Sequence, residues 1–380
     1  MSPFPSRVLR HAAALALAAL CVAPPTAVAQ GGGRGGRGQG RGGPPVVMDS
    51  ARARQLYVSN RPEDHPQPNF ENQIAQRMVA ESTTVARSRG VLDYSTVSYK
   101  SSVDGMTIPA SLYQPLQKRG ARGHAAMVWV HGGVHGSWWS YRLFPFVREA
   151  IERDFVIIAP EYRGSTGFGA AHFNAIDYGD KELDDVVSAV EYLKTLPHVD
   201  PERIGIMGWS HGGYIASLIL FREQHPFVAG AAHVPVSNLI FRLSYKGPGY
   251  QRSFSTQAGI QGLPFEKREE YIKRSPLYHV QKLQVPMLVH VATNDTDVDF
   301  VEDEQLVWKL RALKPDLAET KIYVDPAPGP SSVGHTFNRR VNRTTWERDD
   351  SPAQIDSWNR VWTFFDWWLR PYEDRSKATK

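Results

Sequence analysis

The chain of 380 residues has one cysteine, Cys21, near its N-terminus. If that end is removed on export, no thiol remains. Disulfides, thiolate metal ligands and a cysteine nucleophile are then excluded, and the chain suits an oxidising compartment. Long apolar runs are missing too. The run from Ala12 to Ala23 is about a dozen residues, short of the roughly 20 that cross a bilayer. No histidine and carboxylate cluster stands at metal-ligand spacing, so no metal is expected. No glycine-rich loop carries the lysine of a phosphate-binding turn, and no cofactor is expected. No segment repeats at a fixed period, so no propeller blades are expected in this chain. Excess charge is also missing from the body. The formal net charge is +5, and residues 1–45 carry Arg7, Arg10, Arg34, Arg37 and Arg41 with no acid, which leaves the rest formally neutral. A neutral body offers no electrostatic footprint for nucleic acid.

What is present begins with Arg7 and Arg10, the short apolar run, and Ala27-Val28-Ala29 before Gln30. A basic start, a short apolar core and an A-x-A exit describe a secretory signal peptide cleaved after Ala29, and hence a secreted or periplasmic protein. An uncleaved N-terminal anchor is the alternative. Leu20 stands where a lipoprotein site needs a small residue before the cysteine. Residues 30–45 are almost wholly Gly, Arg and Pro and are expected to be a flexible linker, with an RGG-type nucleic-acid contact as the rival reading. Residues 46–94 are polar and helix-leaning, an N-terminal extension expected to cover the surface of the domain behind it. A catalytic domain is expected over 95–372 and a polar tail over 373–380.

From residue 95 the pattern becomes regular. Ser95 to Lys100 alternates, Asp104-Gly105 is a turn signal, and Met106 to Tyr113 returns as a hairpin partner. Ala126 to Val130, Phe155 to Pro160, Ile204 to Met207, Val228 to Val234 and Val285 to Val291 read as strands buried on both faces. Lys181 to Leu193, Phe300 to Leu313 and Ile355 to Leu369 read as helices, and residues 236–282 as an irregular aromatic loop. Strands alternating with helices predict an α/β fold, a doubly wound, mostly parallel sheet with helices on both faces.

At the centre stands Gly208-Trp209-Ser210-His211-Gly212-Gly213-Tyr214. A strand, a sharp G-x-S-x-G turn and a helix make a nucleophile elbow, the hallmark of an α/β-hydrolase. Flanking glycines let the serine take a strained conformation that lifts Oγ from the sheet. In this fold the acid and the histidine follow in that order. His335 is the only histidine beyond residue 295, and the acids ahead of it are Asp295, Asp297 and Asp299. Asp299 is expected to cap the helix from Phe300. The oxyanion hole calls for the backbone N–H of His211 and one from the loop after the first buried strand, His131-Gly132-Gly133, where Gly133 is expected to donate.

The motif at 208–214 resembles the serine motif of the prolyl oligopeptidase family, whose members include dipeptidyl and acylaminoacyl peptidases. Glu161 to Gly169 is similar to that family's Y-R-G-S-x-G-x-G loop, and Gly334-His335-Thr336-Phe337 to its G-H-x-F loop. Asp295 with Val298 matches its D-x-x-V, which favours Asp295 over Asp297 as the acid. The resemblance covers residues 95–370. It implies a peptidase triad of Ser210, Asp295 and His335, and an apolar acyl pocket lined by Val236, Leu239, Phe241 and Val298. It also implies that Arg163 packs beneath the site, paired with Asp184 or Asp185. His131 stands where some relatives use a tyrosine donor. Small peptides are the expected substrates, and a carboxylesterase on small acyl esters is the alternative. A non-catalytic binding protein on a hydrolase fold is the third reading.

Overall fold

The computed structural model describes residues 68–377 apart from 139, 258 and 330–332. The expected signal peptide, the Gly/Arg-rich linker and residues 46–67 of the extension lie outside the described residues.

Eight strands form one sheet: β1 (Asp93–Lys100), β2 (Thr107–Gln114), β3 (His124–Val130), β4 (Val156–Pro160), β5 (Val199–Trp209), β6 (Ala229–His233), β7 (Met287–Ala292) and β8 (Ala318–Tyr323). Their order is β1-β2-β4-β3-β5-β6-β7-β8. β2 runs antiparallel to β1 and β4, and from β4 to β8 along that order all are parallel. Among the described residues, the helices of eight or more residues are α1 (Phe70–Ser88), α2 (Ser140–Glu152), α4 (Lys181–Lys194), α5 (His211–Leu220), α7 (Pro248–Ser255), α9 (Phe300–Leu313) and α10 (Pro352–Leu369). Three shorter ones are α3 (Ala170–Asn174), α6 (Leu239–Tyr245) and α8 (Arg268–Lys273). The α/β-hydrolase expectation, a mostly parallel sheet with helices, is what the chain adopts.

The apolar runs explain why the sheet is covered on both sides. Successive residues of a strand point to opposite faces. Val128 and Val130 of β3 join one buried cluster with Leu183, Ile215 and Leu306 of α4, α5 and α9. Met127 and Trp129 join another with Phe146 of α2 and Trp358 and Trp362 of α10. The aromatic stripe of α10 is therefore core packing, except that Trp367 is 73% and Trp368 41% exposed. Ser351 caps this helix, its Oγ accepting from the Gln354 N–H.

The N-terminal extension is partly visible as α1, which lies over the domain. Arg77 Nε donates to the Gly167 carbonyl at 2.9 Å, and Arg87 pairs with Glu347 at 2.9 Å. Residues 236–282, expected as an irregular loop, contain α6, α7 and α8 instead. Their many aromatic residues hid short helical turns that pack against the domain, as when Tyr178 meets Phe254 edge-on at 4.6 Å. Arg163 pairs with Asp185 at 2.8 Å and also with Asp104 at 2.8 Å. Asp184 pairs with Arg222 at 2.7 Å and takes no part.

Candidate active site

β5 delivers Ser210 to the C-terminal edge of the sheet, and α5 starts at the next residue. Ser210 has φ 54° and ψ −120°, a left-handed conformation that costs of order 1–3 kcal/mol and persists only where the surroundings impose it. Two close approaches impose it here. A Cβ on Gly208 would run into the Gly212 carbonyl, and one on Gly212 into the Val130 carbonyl. The turn is thus squeezed between its own first helical turn and β3.

β7 ends at Ala292 and releases Asp295. This carboxylate is fully enclosed. Its Oδ1 accepts from the backbone N–H groups of Asp297 at 2.8 Å and Val298 at 3.0 Å, and its Oδ2 accepts from His335 Nδ1 at 2.7 Å. Two fixed donors hold one oxygen, so the other addresses the imidazole in one orientation. Asp297 differs. Its side chain is 46% exposed, Lys246 Nζ donates to its Oδ1 at 2.7 Å, and its Oδ2 stands 3.5 Å from His335 Nε2. Burial pushes the Asp297 carboxyl up, but the charges on His335, Arg242 and Lys246 outweigh it and hold the group well below the usual range. The imidazole thus lies between two carboxylates, with Asp295 making the short bond. Asp299 caps α9 through the Val301 N–H at 3.0 Å, as its position predicted.

The loop after β3 is clamped from beneath. Gly133 has φ +79°, and the Tyr162 hydroxyl donates to its carbonyl at 2.7 Å. His131 turns its ring into the protein rather than the cleft: it stacks on Tyr162 with centroids 4.2 Å apart, and its Nε2 lies 2.8 Å from Ser165 Oγ. Glu161 accepts from the Trp138 N–H at 2.9 Å and lies 3.4 Å from His131 Nε2. Burial raises the Glu161 carboxyl to about 8 and lowers His131 to about 4, so both are neutral near pH 6. The His211 ring is buried beside Tyr178 and Tyr214, and burial drives its pKa well below the usual value. Its backbone N–H opens α5, where the helix dipole favours negative charge.

Three of the four residues expected to line an apolar pocket are enclosed. Val236, Leu239 and Val298 are 1%, 1% and 0% exposed and belong to the core. Only Phe241 keeps a partly open face, against Tyr245 at 5.5 Å between centroids. The space beside Asp297 is taken by the buried Arg242 guanidinium, which donates to Tyr250 Oη at 2.8 Å and to Tyr245 Oη at 3.0 Å, and pairs with Glu302 at 3.3 Å. A buried cation needs such partners.

Sequence reading also missed Asn338, three residues after His335. It is 1% exposed. Its Oδ1 accepts from Trp209 Nε1 at 3.1 Å, its Nδ2 donates to Ser357 Oγ at 3.0 Å, and its carbonyl accepts from Trp358 Nε1 at 2.8 Å. An asparagine in a loop carries no periodic signal that could have marked it.

With this geometry in view, a profile of the prolyl oligopeptidase family matches residues 140–347, more than half of the chain. The chain belongs to the prolyl oligopeptidase family. Among curated proteins it is 29% identical over 248 residues to the uncharacterised peptidase YuxL of Bacillus subtilis, covering 64% of this chain and 36% of that protein. It is 30% identical over 186 residues to dipeptidyl aminopeptidase BIII of Pseudoxanthomonas mexicana, covering 47% of this chain and 27% of that one. Among solved structures, the acylaminoacyl peptidase of Pyrococcus horikoshii superposes with a TM-score of 0.60 at 21% identity, over 79% of this chain and 46% of that one. That last likeness is one of fold. The chain thus spans under half the length of each of these proteins.

Proposed function

We propose that this prolyl oligopeptidase-family chain is an exported serine peptidase that cleaves small peptides through an acyl-enzyme on Ser210. The observation that carries the reading is the 2.7 Å bond from His335 Nδ1 to an Asp295 carboxylate whose other oxygen is pinned by two backbone N–H groups. That bond leaves Nε2 as the basic nitrogen. His335 Nε2 takes the proton of Ser210 as Oγ bonds to the acyl carbon. The oxyanion that forms is met by the His211 and Gly133 N–H groups. The C–N bond then breaks as His335 returns the proton to the leaving nitrogen. Water repeats the sequence and frees the acid and Ser210. Asp295 keeps the imidazole in the needed tautomer and stabilises its charged form.

Two relatives carry peptidase names, which supports amide rather than ester substrates. Export rests on the N-terminal pattern of basic residues, short apolar run and Ala27-Val28-Ala29. Ser210→Ala is expected to abolish labelling by a fluorophosphonate probe while leaving the protein folded. Retained labelling of that variant would place the nucleophile elsewhere. On wild-type protein, turnover of acyl esters with no cleavage of peptide amides would replace the peptidase by an esterase.

A further inference from the structure

Arg339 is an arginine without an anion. The buried Arg163, Arg203 and Arg274 each pair with a carboxylate, at 2.8, 2.9 and 2.7 Å, and Arg242 with Glu302 at 3.3 Å. Arg339 is half-buried, and among the described residues its guanidinium makes no hydrogen bond and no ion pair. It faces the Trp209 ring, 5.4 Å from guanidinium carbon to centroid. Nε is enclosed with no acceptor, whereas neither Nη group is. Burial lowers its pKa to about 10 against the opposing fields of Asp295 and Asp297, so it stays charged at neutral pH.

Its position is specific. Trp209 precedes Ser210, and Arg339 lies four residues beyond His335. The turns between them are closed by Phe337 N–H to the Gly334 carbonyl at 3.1 Å and Arg339 N–H to the Thr336 carbonyl at 3.0 Å. Arg339 also feels the fields of Asp295 and Asp297, the two carboxylates that flank the His335 imidazole. His335 is the group that protonates the leaving nitrogen, so its side of the site is the leaving-group side. A residue of extended peptide spans about 3.3–3.6 Å. One or two residues beyond the scissile bond thus extend about 3–7 Å, the reach that the subsite below requires.

We propose that Arg339 forms a carboxylate subsite on the leaving-group side of Ser210, suited to the C-terminal carboxylate of a leaving fragment one or two residues long. The inference rests on the peptidase reading given above. A guanidinium fork binds a carboxylate through two parallel N–H bonds and leaves a neutral amide with far less. An acidic side chain at the same distance offers the same chemistry.

The test compares N-blocked tripeptides ending in alanine as the free acid, as the amide, and as an amide with aspartate at the penultimate position. Cleavage is followed as kcat/KM on wild-type protein, Arg339→Gln and Arg339→Lys. The wild-type protein is expected to favour the free acid over the plain amide on the order of ten- to a hundred-fold. Arg339→Gln should bring that ratio towards one, and Arg339→Lys should give an intermediate ratio. Because a ratio is taken within one preparation, partial unfolding of a variant cancels. Cleavage of the aspartyl amide as fast as the free acid would assign the subsite to side-chain carboxylates. A wild-type ratio near one with Ser210 labelling by a fluorophosphonate intact would overturn the subsite and leave the peptidase standing. An unchanged ratio in Arg339→Gln would overturn it too. Absence of labelling in the wild type would overturn the peptidase reading itself.

Discussion

Trp209 donates its indole N–H to Asn338 Oδ1 at 3.1 Å, which ties the residue before Ser210 to the loop that carries His335. The two sit 129 positions apart in the chain. Asn338 is also fixed to α10, through Ser357 and through Trp358. The packed aromatic layer of Trp129, Trp209 and Trp358 lies beneath this joint, with the Trp129 and Trp209 rings stacked at 5.4 Å. A rigid core thus sets the distance between two side chains that no single element supplies.

Asn338→Leu keeps the size and removes the side-chain bonds, while the backbone carbonyl still accepts from Trp358. The substitution leaves the Trp209 N–H buried without an acceptor, while Ser357 Oγ keeps His290 Nδ1 at 2.9 Å. A buried group left unpaired costs about 1–3 kcal/mol, and a loss of roughly that size is expected in urea unfolding. A positioning role adds a second expectation. The fluorophosphonate labelling rate of the folded fraction should fall at least about ten-fold, as a misplacement of even 1 Å at a reacting group does. Lost stability with an unchanged labelling rate would make Asn338 a structural residue only.

Asp295→Asn and Asp297→Asn separate the two acids. The amide at 295 can no longer hold the imidazole tautomer, and a loss near 10⁴ in turnover is expected, as for other triads. At 297 the carboxylate is half-exposed and shares its charge with Lys246 and Arg242, so a loss under about ten-fold is expected. Steady-state rates on one peptide substrate decide it. The reverse order would transfer the orienting role to Asp297.

Much of this was legible beforehand because it depends on local pattern. Glycines at 208 and 212 mark a turn that no side chain could occupy, and the apolar runs before and after it mark strand and helix. The order of serine, acid and histidine left a single histidine beyond Asp295. What escaped depends on residues far apart. Val236, Leu239 and Val298 are apolar whether they line a pocket or fill a core, and only packing decides which. Arg242 sits in a helix too short to show a period, so its burial between Tyr245, Tyr250 and Glu302 had no signal. Asp104 carries a turn signal in the sequence and nothing more, yet its bond to Arg163 joins the β1–β2 hairpin to the loop after β4.

Glu161 gives a prediction in pH. It is 6% exposed at the end of β4, with one oxygen on the Trp138 N–H and the other 3.4 Å from His131. Arg77 and Glu81 of α1 line the same small cavity, already paired with each other at 2.9 Å. Burial therefore dominates and raises the carboxyl from 4.5 to about 8. A carboxyl raised on folding binds more protons folded than unfolded across that interval. Its contribution is full below about pH 4.5 and is lost as pH rises to about 8. Glu161→Gln matches the neutral form and does not titrate. At pH 5 the variant and the wild type should unfold at nearly the same urea concentration. By pH 8.5 the variant should be the more stable, by on the order of a few kcal/mol. His131 faces Glu161 in both proteins. Burial holds its pKa near 4, so it stays neutral across this range and cancels in the comparison. The gap between the two proteins should open between pH 5 and pH 8 and then level off. A gap that stays constant from pH 5 to 9 would mean that Glu161 keeps one charge state throughout, and that its carboxylate is paired more strongly than burial opposes it.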